Sequence, residues 1–270
     1  APEDYPEIAR RFADSFPEEH LTRMPLGDRV ARMAWTNFLS TLDFERLYFT
    51  QSDIERLAKE KTRLDDRLKE GGLTFAFDAY ELFIERVKDR VAFVERTLEK
   101  GFDLNKKEAY RWKRRELPWP ANERGRNDLW RKRIKNEYIQ RILAGELNGD
   151  SDEADNGNAE GGRSDGHLKA PEADGDSSAT NGASRAVTPE EFILKRYRQF
   201  HTTLADNDAE WVLQSYLSAF AHAYDPHSAY MSRSATEDFD IEMKLSLVGI
   251  GALLRSEDGA AKIVSLIPGG

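Results

Sequence analysis

Residues 74–101, TFAFDAYELFIERVKDRVAFVERTLEKG, decide the fold class of this chain. Large apolar residues recur here at intervals of three and four, which places them on one face of an α-helix. They are Phe77, Tyr80, Ile84, Val87, Val91, Val94 and Leu98. Thr74 is expected to cap the start of this helix, and Gly101 to end it, because glycine accepts the left-handed backbone conformation. The segment predicts a long amphipathic helix that packs its apolar face against other helices.

Helix signals continue on both sides of this segment. Asp53 is a suitable N-cap for an upstream helix, which Gly71-Gly72 would stop. The apolar face of that helix carries Ile54, Leu57, Leu64 and Leu68. Downstream, Asn122 precedes another helix, which is expected to stop near Gly145. Its large apolar residues are Leu129, Trp130, Ile134, Tyr138 and Ile142.

Three more helices are predicted after residue 187. Residues 188–191, Thr-Pro-Glu-Glu, form a capping box with proline at the first helical position, where its missing N–H costs nothing. Asn207 or Asp208 opens the next helix. Ser234 with Glu237 repeats the capping-box spacing for a short third helix.

The spacing of the apolar residues changes at the end of the chain. From Lys244 onward apolar residues alternate as in a β-strand, once the glycines are allowed for. Residues 256–259, Ser-Glu-Asp-Gly, predict a turn, and residues 262–267 predict a returning strand. Because a lone hairpin is at best marginally stable in water, these strands are expected to begin a larger β module. The sequence is accordingly expected to be the front part of a longer protein.

Composition excludes several classes of protein. The 270 residues contain no cysteine, which excludes a disulfide framework and a thiolate metal site. No apolar run approaches the ~20 residues that span a bilayer. Residues 1–4, Ala-Pro-Glu-Asp, lack the basic and apolar regions of a signal peptide. A cytoplasmic protein and the mature form of an exported protein both fit these observations.

The net charge of −9 is unevenly distributed. Residues 148–185 carry nine acids against three bases and almost no large apolar residue, which predicts a disordered insert. Residues 106–135 carry twelve Lys or Arg against four acids. The aromatic residues of this basic stretch are Tyr110, Trp112, Trp119 and Trp130. Cations bind phosphate and rings stack bases, but the overall negative charge favours the alternative, in which the rings lie in the core and the cations cover it.

Several short segments occur in an order that is specific to one family. They are residues 38–44 (FLSTLDF), 52–55 (SDIE), 58–62 (AKEKT), 118–123 (PWPANE), 207–210 (NDAE) and 225–251. The chain thereby resembles the bacterial tail-specific or carboxy-terminal processing proteases of the long periplasmic Prc/Tsp type. The resemblance covers nearly the whole chain apart from the acidic insert.

The resemblance implies a helical N-terminal domain, then a PDZ domain, then a serine peptidase core with a serine–lysine dyad. The dyad lysine must be neutral to act as a base. No catalytic residue, metal site or cofactor is assigned within the 270 residues, and this chain alone is expected to be inactive.

The resemblance also implies a peptide-binding loop. In PDZ domains a glycine-containing loop points backbone N–H groups at the C-terminal carboxylate of a peptide, which adds to the sheet as a strand. Val248, Gly249, Ile250 and Gly251 match this loop. Val248 replaces the acidic residue usual in the family, and Ile250 is expected to line the pocket for the last side chain. Without the resemblance, Gly249 and Gly251 indicate only a bulge or bend in a strand.

Two clusters near residue 225 contain residue types found in hydrolytic or metal sites. Asp225, His227 and Ser228 are the types of a catalytic triad, but neighbours so close in sequence favour a helix-terminating turn. His222 and His227 are separated by a helix break, which is a poor spacing for zinc ligands.

The loop between two predicted helices contains Phe44, Leu47, Tyr48 and Phe49. Exposed apolar residues here would form a docking surface for a partner helix or an adaptor protein. The alternative is that this loop lies in the core.

The predicted fold class is mainly α, a multi-helix N-terminal domain followed by the first strands of a PDZ domain. Residues 1–144 and 188–243 are predicted to form the helical domain, residues 145–187 the insert, and residues 244–270 the start of the PDZ domain.

The predicted function is recognition of substrates and regulation within a periplasmic serine endopeptidase that processes proteins with apolar C-termini. The alternative is a non-enzymatic helical scaffold or adaptor-binding module. Expected partners are protein substrates and, through the helical domain, an adaptor or a second copy of the chain. Neither nucleic acid nor a transmembrane segment is expected.

Overall fold

A computed structural model describes residues 4–149, 187–244, 252–257 and 260–266. These residues form nine α-helices and one β-hairpin, which confirms the prediction of a mainly α protein. The chain divides into two compact units, residues 1–229 and residues 230–270.

The first unit is helical throughout its described elements. Its helices are α1 (Tyr5–Glu19), α2 (Asp28–Leu42), α3 (Gln51–Leu57), α4 (Leu64–Lys69), α5 (Thr74–Lys100), α6 (Glu123–Gly149), α7 (Pro189–Ala205) and α8 (Ala209–Tyr224), with a 3₁₀ turn at Ala58–Glu60. The second unit contains α9 (Arg233–Lys244), β1 (Ala252–Glu257) and β2 (Ala260–Leu266).

Several predicted helix ends are confirmed. Thr188 caps α7 in a capping box that Glu191 completes, and the Asp208 side chain accepts a hydrogen bond from a main-chain N–H in the first turn of α8. Gly71 follows α4 with a φ of 79°, the left-handed conformation that favours glycine. A Cβ atom at Gly71 would lie 2.7 Å from the carbonyl oxygen of Pro6, so this glycine also lets α1 approach closely.

Three predicted helix starts are wrong. Thr50, not Asp53, is the N-cap of α3. Asp53 is the third residue of this helix, and its carboxylate accepts the reciprocal hydrogen bond from the Thr50 main-chain N–H. Thr74 is the first residue of α5 and does not cap it. At α9, Ser232 rather than Ser234 accepts the hydrogen bond from a first-turn N–H. Each error is a shift of one to three residues. At α3 and α9 a neighbouring hydroxyl side chain caps the helix instead, whereas the N-cap of α5 is Leu73, which makes no side-chain capping bond.

Two predicted helix lengths also differ from the structure. The helix expected after Asp53 breaks into α3, the 3₁₀ turn and α4, although its apolar residues are all buried. Residues 58–63 carry no large apolar residue, so burial does not require them to continue the helix. Helix α6 runs to Gly149, beyond the stop expected near Gly145.

The core of the first unit lies where α2 packs against α8 and where α5 packs against α6, α7 and α8. Phe38 of α2 and Tyr216 of α8 are fully buried and meet edge to face, with ring centroids 5.4 Å apart. Asn37 of α2 donates a hydrogen bond of 3.0 Å to the main-chain oxygen of Ala219 in α8. The Tyr80 hydroxyl of α5 donates to the main-chain oxygen at the C-terminal end of α7.

The apolar stripe predicted on α5 is partly confirmed. Tyr80, Val87, Val94 and Leu98 are buried, whereas Phe77, Ile84 and Val91 are half-buried. The buried surface of α5 also includes Phe75, Ala76, Ala79, Leu82, Phe83 and Arg90. Because α5 contacts three other helices, it buries a wider sector than one stripe. The helix ends at Gly101, whose φ is 71°, as predicted.

In the second unit, β1 and β2 pair antiparallel. Leu254 lies opposite Ile263 and Glu257 opposite Ala260, with an irregularity between Leu253 and Leu254. The predicted return of the chain as a hairpin is therefore confirmed. The strand residues expected at 245–251 lie outside the described residues, and the assignment of the hairpin to a PDZ domain stays a prediction.

Candidate functional site

The predicted peptide-binding loop, Val248, Gly249, Ile250 and Gly251, lies outside the described residues. The predicted insert also lies outside them, except for its first residues, which belong to α6, and Val187. Both stay predictions.

Asp225 and Ser228 form the turn that ends α8, as the sequence favoured. The Ser228 main-chain N–H donates to the Asp225 carbonyl at 3.0 Å, and the Ser228 hydroxyl lies 3.3 Å from the Asp225 carboxylate. His227 is exposed and takes no part in this turn. The residue types of a catalytic triad are therefore present here, but their side chains do not adopt the geometry of a triad.

A different histidine, His20, approaches the same serine. Its Nε2 atom lies 3.4 Å from the Ser228 hydroxyl. The main-chain N–H of Thr22 donates to His20 Nδ1 at 3.2 Å, and the Thr22 hydroxyl lies 2.9 Å from the same nitrogen. The Ser228 hydroxyl donates to the Asp225 carboxylate, and we assign no nucleophile here.

His222 and His227 also do not form a metal site with other described side chains. Within residues 4–149 and 187–244, no group of three or more His, Asp or Glu side chains is placed to hold a metal ion. His222 is half-buried in α8, and burial lowers the pKa of its ring, which favours the neutral form.

Most aromatic residues of the basic stretch belong to the core or its edge. Trp130 is fully buried, and its ring N–H donates to the main-chain oxygen of Leu47 at 2.7 Å. The Trp119 ring N–H donates to the Asp43 carboxylate at 3.0 Å, and Tyr110 accepts from Arg133. These contacts support the structural interpretation of the stretch rather than a base-stacking surface.

Many cations of this stretch are likewise engaged within the protein. Arg126 is 1% exposed and pairs with Glu123 at 2.6 Å. Lys135 donates hydrogen bonds to two main-chain oxygens. Arg131 donates two hydrogen bonds, of 2.6 and 2.8 Å, to the Glu108 carboxylate. The hydrogen bond from Arg131 is the main reason that the pKa of Glu108 falls to about 2. Such cations stabilise the fold and are not available to bind phosphate.

The loop from Asp43 to Phe49 packs into the core, which is the second of the two alternatives that the sequence left open, so Leu47, Tyr48 and Phe49 do not form a docking surface. All three are at most 2% exposed. The Asp43 carboxylate, itself buried, accepts hydrogen bonds from the main-chain N–H groups of these three residues at 2.7 to 3.1 Å. Burial raises the pKa of Asp43, against the opposing effect of these bonds. Of the four apolar residues of the loop, Phe44 alone is half-buried, and the Arg115 guanidinium lies 4.9 Å from its ring.

The first unit has a cleft along the N-terminal half of α5, which we call the α5 cleft. It has a volume of about 950 Å³ and lies between α3, α4 and α5. Its apolar floor consists of Leu57, Phe75 and Leu82, which are 4 to 8% exposed. A cleft of this size lies in the range of protein binding sites.

The rim of the α5 cleft is acidic. Five carboxylates line it against two guanidiniums: Glu60, Glu70, Asp78, Glu81 and Glu85 against Arg56 and Arg67. Arg67 lies 3.5 Å from Glu60 and 3.6 Å from Glu70, which leaves the carboxylates on α5 in excess. Asp78 and Glu81 are exposed and form no ion pair with any described residue. The cleft therefore combines an apolar floor with a net negative rim.

An ion pair behind the rim fixes α3 against α5. Arg86 of α5 donates two hydrogen bonds, of 3.0 and 2.8 Å, to the two carboxylate oxygens of Asp53. Burial alone would raise the pKa of Asp53, but the bonds from Arg86 and Thr50 outweigh it and lower that pKa to about 2. This pair holds one wall of the α5 cleft.

Sequence reasoning missed the α5 cleft. Asp78, Glu81 and Glu85 recur at three and four positions, which indicates one exposed face of a helix and nothing more. The signal that distinguishes a cleft from a solvated face is the packing of α3 and α4 beside it, which no local pattern encodes.

Comparison with known proteins identifies relatives of the whole helical region. Residues 12–234 match a family model described as the tail-specific protease N-terminal domain. A tail-specific protease of Haemophilus influenzae is 29% identical to the chain over 261 residues. The aligned region covers 96% of the chain and 32% of that protein, so the chain spans about a third of the length of this curated relative. Among the described helices, none is both long enough and apolar enough to cross a bilayer.

Proposed function

Because the chain belongs to the tail-specific protease family through its N-terminal domain, we propose that it recognises substrates and regulates access in a serine endopeptidase that acts on the C-terminal ends of proteins. The observation that carries this proposal is the family match over residues 12–234. The Haemophilus relative, named as a tail-specific protease, supports proteolysis as the activity of the whole protein.

In this proposal the chemistry lies outside the 270 residues. No nucleophile is assigned among the described residues, where the Ser228 hydroxyl donates to the Asp225 carboxylate. The proposed catalytic core, with its serine and lysine, would occupy part of the two thirds of the relative that the chain does not span. This chain alone is then inactive as a peptidase.

The peptide-binding role is proposed for Val248, Gly249, Ile250 and Gly251. In the sequence these four residues directly precede β1, which begins at Ala252. The glycine loop of a PDZ domain likewise precedes a strand. Backbone N–H groups of the loop would hold the terminal carboxylate, and Ile250 would contact an apolar last side chain. The substrates are accordingly proteins with apolar C-termini.

The location and the other partners are also proposals. The family resemblance supports the periplasm. The helical domain, residues 1–144 and 188–243, would bind an adaptor or a second copy of the chain, and residues 145–187 would link its two parts.

The test compares cleavage of a peptide with an apolar C-terminus by the whole protein, by its Gly249→Val/Gly251→Val variant and by this chain alone. We expect cleavage by the whole protein only, with kcat/KM reduced by the loop variant, because the new side chains obstruct the backbone N–H groups. A peptide with an amidated C-terminus is the matched control and should be cleaved as poorly as the loop variant cleaves the free acid. Absence of cleavage by the whole protein would favour the scaffold alternative.

A further inference from the structure

A second exposed surface of the helical unit complements the α5 cleft. Arg111, Trp112 and Lys113 are consecutive, exposed residues in the segment between α5 and α6. Trp112 is 64% exposed, and the Lys113 ammonium lies 4.7 Å from its ring. Tryptophan and arginine are the residues most often found at the energetic centres of protein interfaces. We call this surface the Trp112 knob.

The Trp112 knob is held in place although it belongs to no helix or strand. On one side, the main-chain N–H of Arg114 donates to the Glu45 carboxylate at 2.6 Å. On the other side, Glu108 is fixed by the paired hydrogen bonds from Arg131. A side chain that is already positioned loses less conformational entropy when it binds than one on a mobile segment.

We propose that the Trp112 knob of one copy of the chain binds in the α5 cleft of a second copy. The indole would cover the apolar floor at Leu57, Phe75 and Leu82, and the flanking cations would face the unpaired carboxylates of the rim. The proposal deepens the partner-binding role proposed above for the helical domain, and rests on that role alone.

The choice of a second copy follows from charge complementarity. The cleft carries five carboxylates against two guanidiniums, whereas the knob presents two cations on either side of an indole. The chain as a whole has a net charge of −9, so two copies repel each other unless unlike patches meet. Knob and cleft are different surfaces, and such a heterologous contact can continue from copy to copy.

The test is sedimentation velocity of the whole chain over a range of concentrations at low and moderate salt. The mass-averaged sedimentation coefficient should rise with concentration, less steeply at moderate salt, because exposed charges are screened. Trp112→Ser should weaken association about thirtyfold, as for truncation of a central interface residue. Glu99→Lys, an exposed charge reversal at the other end of α5, is the matched control and should associate like the unmodified chain.

Two charge-reversed variants make the test specific. Asp78→Lys/Glu81→Lys changes only the cleft, and Arg111→Glu/Lys113→Glu changes only the knob. Each should be monomeric alone, whereas an equimolar mixture should associate, because one variant keeps an intact knob and the other an intact cleft. That recovery also shows that both variants are folded.

A chain that stays monomeric up to about 200 μM, which corresponds to a binding free energy weaker than roughly −5 kcal/mol, would overturn the proposal. So would association that persists in both charge-reversed variants. Neither result bears on the peptide-binding loop, whose test uses cleavage by the whole protein.

Discussion

Replacing Arg86 with alanine should destabilise the helical unit by about 2 to 3 kcal/mol at neutral pH. Removal of one partner of an ion pair leaves an uncompensated charge, which costs about 3–5 kcal/mol when the pair is fully buried. Arg86 keeps a side-chain exposure of 19%, and Thr50 still donates to Asp53, so the lower part of that range applies.

The pKa of Asp53 gives a second route to the same magnitude. It falls from 3.8 to about 2 in the folded protein. At 1.36 kcal/mol for each pKa unit, this corresponds to about 2 kcal/mol of stabilisation of the ionised carboxylate. Because the folded-state pKa is lowered, the stabilisation is complete above the unfolded-state pKa and is lost as the pH falls through about 4 towards 2. The difference between the parent and Arg86→Ala should shrink over that range.

Urea unfolding followed by circular dichroism at pH 7 and pH 3 measures both effects. Arg86→Met separates lost packing from lost charge, since it keeps most of the side-chain volume. The matched control is Arg11→Ala, which removes an exposed pair with Glu7 on α1 and should cost less than about 1 kcal/mol. A loss below 1 kcal/mol for Arg86→Ala at pH 7, or a loss that is equal at both pH values, would refute the reasoning.

Three other changes test separate features of the fold. Trp130→Phe should lower the free energy of unfolding by about 1–3 kcal/mol, because a buried main-chain carbonyl loses its hydrogen-bond donor. Trp112→Phe is the control and should leave the stability of the monomer unchanged. Thermal unfolding compares the two variants. Gly71→Ala should cost about 1–3 kcal/mol, since φ is 79° and the new methyl would meet α1, whereas Gly27→Ala has open space; equal melting temperatures would contradict this. Replacing residues 150–185 with a short glycine-serine linker should change the free energy of unfolding by about 1 kcal/mol or less, because loop-closure entropy varies slowly with length; a large loss in urea unfolding would show that the insert contributes to the fold.

The predictions that succeeded depend on residues close together in sequence. Thr188 and Glu191 are three positions apart, and the bonds between them form within one helical turn, so the pattern suffices. Gly71 and Gly101 end helices for the same local reason. The family resemblance also depends on short segments, and the match over residues 12–234 confirms it.

The wrong N-caps are local shifts of one to three residues, whereas the features that the sequence left open or missed depend on contacts between distant segments. In sequence, the loop with Tyr48 and Phe49 has the pattern of an exposed apolar loop. In the structure, the Asp43 carboxylate accepts hydrogen bonds from its main-chain N–H groups, and Trp130 donates to the main-chain oxygen of Leu47. The α5 cleft likewise depends on how α3 and α4 pack beside α5, and Asp53 and Arg86, which join α3 to α5, are 33 positions apart. Charge and hydropathy patterns do not contain such distances.

The packing of α2 on α8 also sets the order in which the protein can fold. Asn37 and Ala219 are 182 positions apart, and the apolar face of α2 has its main partner only in α8. At a synthesis rate of about 5–20 residues per second, roughly 10–40 s pass between the appearance of the two helices. During that interval Phe38 and its neighbours on α2 lack the cover that α8 provides, although α4 and Phe75 of α5 already contact α2 and Phe38. The helical unit is therefore completed late, and the nascent chain needs protection from aggregation until α8 has been made.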